Sequence, residues 1–237
     1  MIDANKSLRL LQVWVGVLTL LVVGLLLALV YLLQTQRSPV LTAERINIVE
    51  PDGQLKMVIS GSRRQHPGML NGRSLPARER GAGLTFFNEA GDECGGLLYN
   101  GNPREASMVY SIDQFRNDQL MQLQYDQRAG TGPVVRSYGL KLWDRNDSFP
   151  LTRELAYLDS LTALHDTAAY RRGVAQLVAS NQLGAERLFL GRAASGETGL
   201  FLRDSKGRVR LKIYIDTHDQ PVMQLVDASG QPAKLLP

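Results

Sequence analysis

The sequence predicts a mainly β protein: one N-terminal transmembrane helix, followed by an antiparallel domain of repeated β-hairpins with a short helical insertion. Three observations support this prediction. The stretch 11–33 contains 23 residues without a charge. Beyond it, short runs of alternating apolar and polar residues recur on either side of glycine-containing turns. Between 152 and 181 the apolar spacing changes to three and four residues, which is typical of an amphipathic helix.

The apolar stretch 11–33 is long enough to cross a membrane as a helix. At about 1.5 Å of rise per residue it covers a hydrocarbon core of roughly 30 Å. A cleavable signal peptide is the alternative, but its apolar region usually has about 7 to 15 residues and ends at a small-residue cleavage site. Here Tyr31, Leu32 and Leu33 follow instead. We therefore expect an uncleaved anchor.

Flanking charges predict the orientation of this anchor. Lys6, Arg9 and the terminal amine are opposed by Asp3 alone, whereas Arg37 is the only basic residue just beyond the stretch. Because cytoplasmic flanks carry the positive excess, we expect a cytoplasmic N-terminus and an extracytoplasmic folded part, on the periplasmic side of the inner membrane in a Gram-negative cell. The predicted segments are a flank at 1–10, the span at 11–33, a linker at 34–43 and a β domain at 44–237.

Composition narrows the classes of function. The formal net charge is +4 and acidic residues are scattered along all 237 positions, so no nucleic-acid partner is predicted. Cys94 is the only cysteine, which excludes an intramolecular disulfide and a clustered thiolate metal site. Asp92 and Glu93 lie beside it and disfavour a thiolate, so we expect an inert side chain.

A strand-turn-strand unit recurs along the β domain. In its clearest copy, at 200–215, aliphatic residues alternate with charged residues and a tyrosine on the strand after Gly207. Such alternation places the aliphatic set on one sheet face, which we expect to face the core, and the charged set on the other. Further copies lie at 46–59, 84–99 and 225–230, and one beginning at Leu140 has Asp147 at the glycine position.

The turn of this unit holds an acidic or amide residue three positions before glycine. Its side-chain oxygen can accept a hydrogen bond from the backbone two residues on, and glycine supplies a positive φ, so a type I turn with a glycine bulge is expected. A calcium loop needs more oxygen ligands than the one or two acids of each turn, and no metal is predicted. Closure into a barrel, a sandwich or propeller-like blades stays open.

The helical insertion at 152–181 begins with leucines three and four residues apart. Thr152 is the expected N-cap, Gly173 is expected to divide the segment and Gly184 to end it. One or two helices are thus predicted to pack against the sheet. A partner-binding surface is the alternative, since an apolar stripe serves either purpose.

The segment 61–82 is predicted to be a long basic loop. Loops beyond about 12 to 15 residues are usually functional or disordered. Arginines here could engage lipid phosphates, a polyanion or an acidic protein face, and a solvated connection is the alternative. The candidate contacts are Arg63, Arg64, Arg73, Arg78 and Arg80.

No catalytic residue and no cofactor are predicted. His66, His165 and His218 have no triad or metal-ligand spacing, and a nucleophile with an orienting partner is missing. A ligand-binding or enzymatic domain, with a site assembled from distant turns, is the rival hypothesis. Its nameable candidates are Asp216, His218 and Asp219.

Two segments carry a resemblance to a known group of proteins. With the anchor, Arg45 to Gly53 and Gly83 to Gly96 resemble uncharacterised bacterial membrane-anchored β-repeat proteins. The resemblance supports the fold class and implies no activity, cofactor or ligand. The leading hypothesis is a membrane-anchored, non-catalytic interaction or scaffold protein, for example a subunit of an envelope assembly, with a protein partner or a second copy of itself.

Overall fold

The computed structural model describes residues 4–35 and 40–233, in two compact units that divide after Ala43. Residues 1–3, 36–39 and 234–237, which hold parts of the predicted flank, linker and β domain, lie outside the described residues. The first unit contains helix α1 (Ala4–Thr35), and an 18-residue window within its Asn5–Leu32 part reaches a mean hydropathy of 2.8. This helix is long and apolar enough to span a membrane.

The second unit is built on one twelve-stranded antiparallel sheet. Its elements are β1 (Arg45–Val49), β2 (Leu55–Ser60), a 3-10 turn (Ser62–Arg64), β3 (Met69–Leu70), β4 (Arg73–Ser74), β5 (Ala82–Phe87), β6 (Glu93–Gly101), β7 (Glu105–Asp113), β8 (Gln119–Arg128), β9 (Val135–Asp144), α2 (Leu151–Thr162), α3 (Thr167–Ala179), β10 (Ala185–Arg192), β11 (Thr198–Arg203), β12 (Val209–Ile215), β13 (Pro221–Val226) and β14 (Pro232–Ala233).

The sheet is a meander in which each strand pairs with its neighbours along the chain. Its order runs from β1 and β2 through β5 to β14, and β3 and β4 form a separate small hairpin. The predicted mainly β, antiparallel fold with an N-terminal apolar helix and short inserted helices is confirmed. The sequence left a barrel, a sandwich and propeller-like blades open, and the described strands form none of the three. They form a single layer with β1 and β14 at its edges.

Seven turns close these strands with the same pair of backbone hydrogen bonds. In each, the N–H of the first residue donates to the carbonyl of the fifth, and the N–H of the fourth donates to the carbonyl of the first. In five turns the fourth residue is a glycine with φ between 75° and 101°, as the predicted glycine bulge requires. The first residues are Glu50, Asn88, Gln114, Ala193, Asp204, Asp216 and Asp227.

The turn at Asp204 shows how its side chain fixes this geometry. Oδ1 of Asp204 accepts hydrogen bonds from the backbone N–H groups of Lys206 and Arg208, both at 3.0 Å. Desolvation opposes ionisation of this carboxyl, but the hydrogen bonds from Arg208 and Lys206 lower its pKa well below the usual range. The carboxylate therefore stabilises the turn throughout the neutral pH range.

Two local predictions are wrong. The copy beginning at Leu140 is not a hairpin, because the chain leaves β9 at Asp144 and enters α2, so Asp147 never takes the bulge position. The helices divide after Thr162 rather than at Gly173: His165 has φ 51°, and Asp166 caps α3 by accepting hydrogen bonds from two backbone N–H groups.

Close packing explains why Gly173 lies inside α3. A Cβ on this residue would overlap the side chain of Leu161 in α2, so the glycine lets the two helices approach each other. Both residues are buried. The prediction that Thr152 is the N-cap is wrong, because Thr152 lies within the first turn of α2 and Pro150 holds the N-cap position. The spacing of leucines thus predicted the helices. It did not predict the role of Gly173, which depends on a contact between α2 and α3.

Strand register aligns the aliphatic side chains into two continuous rows across eleven strands, which we call the apolar face. The first row is Ile46, Ile59, Leu84, Leu97, Tyr110, Leu123, Leu140, Leu190, Leu200, Ile213 and Met223. The second row is Ile48, Met57, Phe86, Gly95, Ile112, Met121, Leu142, Leu188, Leu202, Leu211 and Leu225.

The opposite, polar face carries the buried side chains of the sheet. Val58 and Thr85 are fully buried there, and Phe189 and Phe201 nearly so. By contrast, no apolar side chain in the two rows of the apolar face is buried. The expectation that the aliphatic face meets the core is therefore wrong for the described residues, because the sheet stays a single layer and does not fold back over itself.

A lane of glycines explains how aromatic rings become buried on the polar face. Gly139, Gly191 and Gly199 are aligned on β9, β10 and β11, where a Cβ would collide with a neighbouring strand. The rings of Phe189 and Phe201 stack along this lane, with centroids 5.7 Å apart. Glycine thus removes side chains beside the rings and lets them lie close to the backbone.

Turn chemistry gives a stability prediction. Gly207 is the fourth residue of the Asp204 turn and has φ 75°, so Gly207→Ala is expected to lower the free energy of unfolding by about 1 kcal/mol, the cost of a left-handed conformation. Thermal unfolding of the full-length protein in detergent, followed by circular dichroism, measures the loss.

The matched control is Asp219→Gly in the Asp216 turn, where Asp219 holds the same position with φ 60°. It should unfold at the wild-type temperature or above, since glycine relieves the same strain. Equal losses in both variants would contradict this account of the turn.

Candidate functional site

The basic segment 61–82 is folded, contrary to the expected irregular loop. It contains the 3-10 turn and the β3–β4 hairpin, and it lies on the polar face over β2 and β5. Gln65 Nε2 donates to the carbonyls of Gly81 and Gly83 at 3.4 and 3.3 Å, and Thr85 Oγ1 donates to Gln65 Oε1 at 3.4 Å. Side-chain hydrogen bonds to strand β5 therefore hold this segment in place, a long-range effect that composition does not reveal.

Arg80 lies under this segment rather than at its surface. Its side chain is 10% exposed, and Nη1 and Nη2 donate to the two carboxylate oxygens of Glu93 at 2.9 and 2.6 Å. Nη1 also donates to the carbonyl of His66 at 3.1 Å. Bidentate pairs of this kind are strong and directional. Arg80 thus fastens the segment to β6, and its predicted role as a partner contact stays untested.

The other four predicted arginines are exposed. Arg64 pairs with Glu44 at 2.7 Å, and Arg78 donates to the carbonyl of Pro67 at 2.8 Å and lies 3.8 Å from Glu93. Among the described residues, Arg63 and Arg73 have no ion-pair partner. The five arginines thus differ in their ion pairing, and Arg63 and Arg73 retain unneutralised guanidinium groups. Their contact with a partner stays a prediction.

Arg63, Arg78 and Arg80 border an open cleft of about 770 Å³, together with Glu79 and Asn100. The cleft is wide, and one carboxylate faces the arginines. Two of its three arginines already contact Glu93, which reduces the positive charge available to an anion. The arrangement is that of a charged surface.

Two carboxylates lie beneath the segment at the end of the sheet. Asp92 is fully buried: Oδ1 accepts from the backbone N–H of Gly72 and Oδ2 from Nε of Arg116, both at 3.3 Å. Asp92 thereby ties the β3–β4 hairpin to the sheet. Nearby, Oδ1 of Asp113 is buried without a hydrogen-bond partner among the described residues.

Burial raises the pKa of Asp113 from 3.8 to about 7, and the negative charges of Glu93 and Asp118 add to this effect. Arg80 and Arg145 oppose it, but Arg145 is itself paired with Asp118 at 3.0 Å. Asp113 is therefore partly protonated at neutral pH. Sequence reasoning missed this residue, because its environment comes from strands and turns that are distant along the chain.

His66 and Cys94 serve packing in this region. Burial lowers the pKa of His66, and its Nδ1 accepts a hydrogen bond from the N–H of Gly68 at 3.0 Å. Burial also raises the pKa of the Cys94 thiol, with Asp113 and Glu93 contributing. A protonated thiol is a poor nucleophile, which supports the expected inert cysteine.

The candidate residues of the rival hypothesis lie in an exposed turn. The side chain of His218 is 84% exposed, with Nδ1 4.0 Å from Oδ2 of Asp216. Oδ1 of Asp216 instead accepts from the backbone N–H groups of His218 and Gln220, and these hydrogen bonds lower its pKa. Asp219 supplies the positive φ of the turn. All three residues are accounted for by turn chemistry.

The apolar face is a surface feature that site prediction missed. Its central residue, Leu123, is 48% exposed, and Leu190, Ile213 and Met223 are similarly open. Soluble monomers rarely expose contiguous apolar patches beyond a few hundred Å², and larger ones mark interaction sites. Period-two alternation was a signal of this surface, but alternation alone does not say whether another layer covers it.

Comparison with protein-family models, curated proteins and solved structures found no match for this chain. Within the described residues there is also no group of three or more histidine, cysteine or acidic side chains placed to hold a metal ion. The fold and surface define the class: a protein with an N-terminal helix apolar enough to span a membrane and a single-layer antiparallel sheet that presents an apolar face.

The environment of Asp113 predicts a pH effect. The folded state binds this proton more tightly than the unfolded state, so its contribution to the free energy of unfolding falls as pH rises from about 4 to about 7. Asp113→Asn should remove that fall and stabilise the protein at pH 8 by up to a few kcal/mol, since one pKa unit corresponds to about 1.4 kcal/mol. Unfolding temperatures between pH 4.5 and 8 measure the difference between the variant and the wild type.

Asp118→Asn is the control, because it removes a neighbouring carboxylate that is paired with Arg145. This variant keeps Asp113, so its free energy of unfolding should still fall as pH rises, although by less than in the wild type because the charge of Asp118 adds to the raised pKa of Asp113. A wild-type-like pH profile for Asp113→Asn would show that Asp113 ionises without penalty.

Proposed function

We propose that this chain is a membrane-anchored, non-catalytic interaction protein that holds a partner at the membrane through its apolar face. One observation carries the proposal: two aliphatic rows cross eleven strands and no apolar side chain in them is buried. Stable domains bury such a face against a second layer. A single-layer sheet leaves that requirement to another molecule.

The composition of the apolar face supports a protein partner. Its two rows contain no charged residue, whereas Asp204, Asp216 and Asp227 lie in turns at the ends of the strands. An apolar centre with a polar rim is the usual anatomy of a protein interface. Burying apolar area contributes about 25 cal/mol per Å², so the gain from covering this face increases with the number of strands covered.

The proposed location is the extracytoplasmic side, where the domain could serve as a subunit of an envelope assembly. Helix α1 supplies the anchor, and the basic residues Lys6 and Arg9 precede its apolar part. Positive charge favours retention of that flank in the cytoplasm. Arg63 and Arg73, on the basic segment, are the proposed secondary contacts for an acidic surface or for lipid phosphate.

Orientation is testable by cysteine labelling in a Cys94→Ser background. Ser205 is exposed in the Asp204 turn, so a membrane-impermeant maleimide should label Ser205→Cys when the outer side of the membrane is accessible. Asn5→Cys, at the start of α1, should be labelled only after the membrane is permeabilised. The reverse pattern would place the β domain in the cytoplasm.

The interaction itself is testable by photo-crosslinking in native membranes. A benzophenone amino acid at Leu190, on the apolar face, should give crosslinks to protein. The same probe at Lys212, which lies on the polar face, should give few, because a partner seated on the apolar face does not reach it. Mass spectrometry identifies the crosslinked chains.

A third probe at Arg63 examines the basic segment separately. Protein crosslinks from Arg63 alone would show that the partner contacts the arginines and not the apolar face. Crosslinks from Leu190 to lipid, with none to protein, would contradict the proposed function.

A further inference from the structure

We infer that the occupant of the apolar face is a second copy of this chain, packed sheet against sheet. This inference rests on the proposed function and names its partner. The supporting observations are the absence of charge from the two rows, the area they cover, the position of their centre and the acidic turns at both ends of the strands.

The absence of charge from the two rows favours a second copy of the chain as the partner. A surface that recognises a different protein usually carries charges that match that partner and reject others. The two rows here are aliphatic or aromatic throughout apart from Gly95. An uncharged surface neither repels its own copy nor selects an oppositely charged partner. Two such faces can interdigitate as the inner faces of a β-sandwich do.

The area is sufficient for a stable dimer. Eleven strands spaced about 4.8 Å apart extend over roughly 50 Å, and residues two apart along a strand add about 7 Å per row. On four strands the face is wider, because Tyr99, Met108, Tyr125 and Tyr138 adjoin the first row before the register reaches Arg192 on β10. The two full rows hold 22 positions of about 4.8 by 7 Å each and so cover roughly 740 Å², against about 800 Å² per partner in a standard interface.

Symmetry identifies the residue nearest the dimer axis. A two-fold dimer uses the same patch on both chains, so its axis passes through the centre of the apolar face. Strand β8 is the sixth of the eleven strands, and Leu123 is its residue in the first row. Leu123 of one copy is therefore placed against Leu123 of the other.

A membrane surface is the competing occupant, and the acidic turns disfavour it. Asp204 and Asp227 lie at one end of the strands and Asp216 at the other. Hydrogen bonds lower the pKa of the Asp216 and Asp227 carboxyls, which keeps them ionised. A bilayer laid on the apolar face would bring these carboxylates toward anionic headgroups. Anchoring to one membrane instead raises the local concentration of like chains.

The test uses the full-length chain in its native membrane, in a Cys94→Ser background. Packed sheets face each other about 10 Å apart, which exceeds the Cα separation of a disulfide, so a short bis-maleimide is the probe. Leu123→Cys should give a covalent dimer of the chain. Gln122→Cys, on the polar face of the same strand, should give at least tenfold less.

Charge supplies an independent readout. Leu123→Arg places two like charges at the axis, so co-purification of two differently tagged copies in mild detergent should fall at least tenfold. Gln122→Arg adds the same charge to the polar face and should leave co-purification unchanged. Circular dichroism establishes that both variants retain the sheet.

The outcomes separate this inference from the proposed function. Reaction of Leu123→Cys with a different protein, without a dimer, would show that the occupant is not a second copy. The proposed interaction role would then remain. Equal dimer yields from Leu123→Cys and Gln122→Cys would also overturn it, because the contact would then lie elsewhere. Lipid as the only crosslinked species at Leu123 and Leu190 would overturn both.

Discussion

A sheet with one aliphatic face needs a second layer, and the rest of this structure depends on how that need is met. Tight turns join most neighbouring strands, and along the described residues each strand is placed beside the one before it in the sheet, with no crossover. The helices between β9 and β10 do not bury the apolar face either. In the proposed function, the layer that covers the aliphatic rows comes from outside the described domain.

The polar face is partly covered by residues of the same chain. Phe189 and Phe201 lie along the glycine lane, and the basic segment covers Val58 and Thr85. These contacts account for most of the buried side chains of the sheet. The proposed function thus assigns folding and association to opposite faces. Changes at Leu123 can alter association while the buried contacts that maintain the strands stay intact.

Local patterns in the sequence were sufficient to predict the strands and many of the turns. Alternation after Gly207 identified which side chains share a face, and the acidic residue with glycine three positions later identified the turn type. Which face is buried was not predictable in this way, since burial depends on elements distant along the chain. The same limit applies to Gly173, because a glycine is needed there to avoid overlap with Leu161 on the preceding helix.

The arginines show the same limit at the level of a site. Composition identified five candidates, but Arg80 has its partner Glu93 on β6 and Arg64 has its partner Glu44 before β1. An ion pair between such positions is invisible to a count of charges within one segment. Charge that remains unpaired, at Arg63 and Arg73, lies on the basic segment, while the larger uncovered area lies on the apolar face. Because desolvating aliphatic carbon is favourable and desolvating a guanidinium is costly, the apolar face is the stronger source of binding free energy for the proposed interaction.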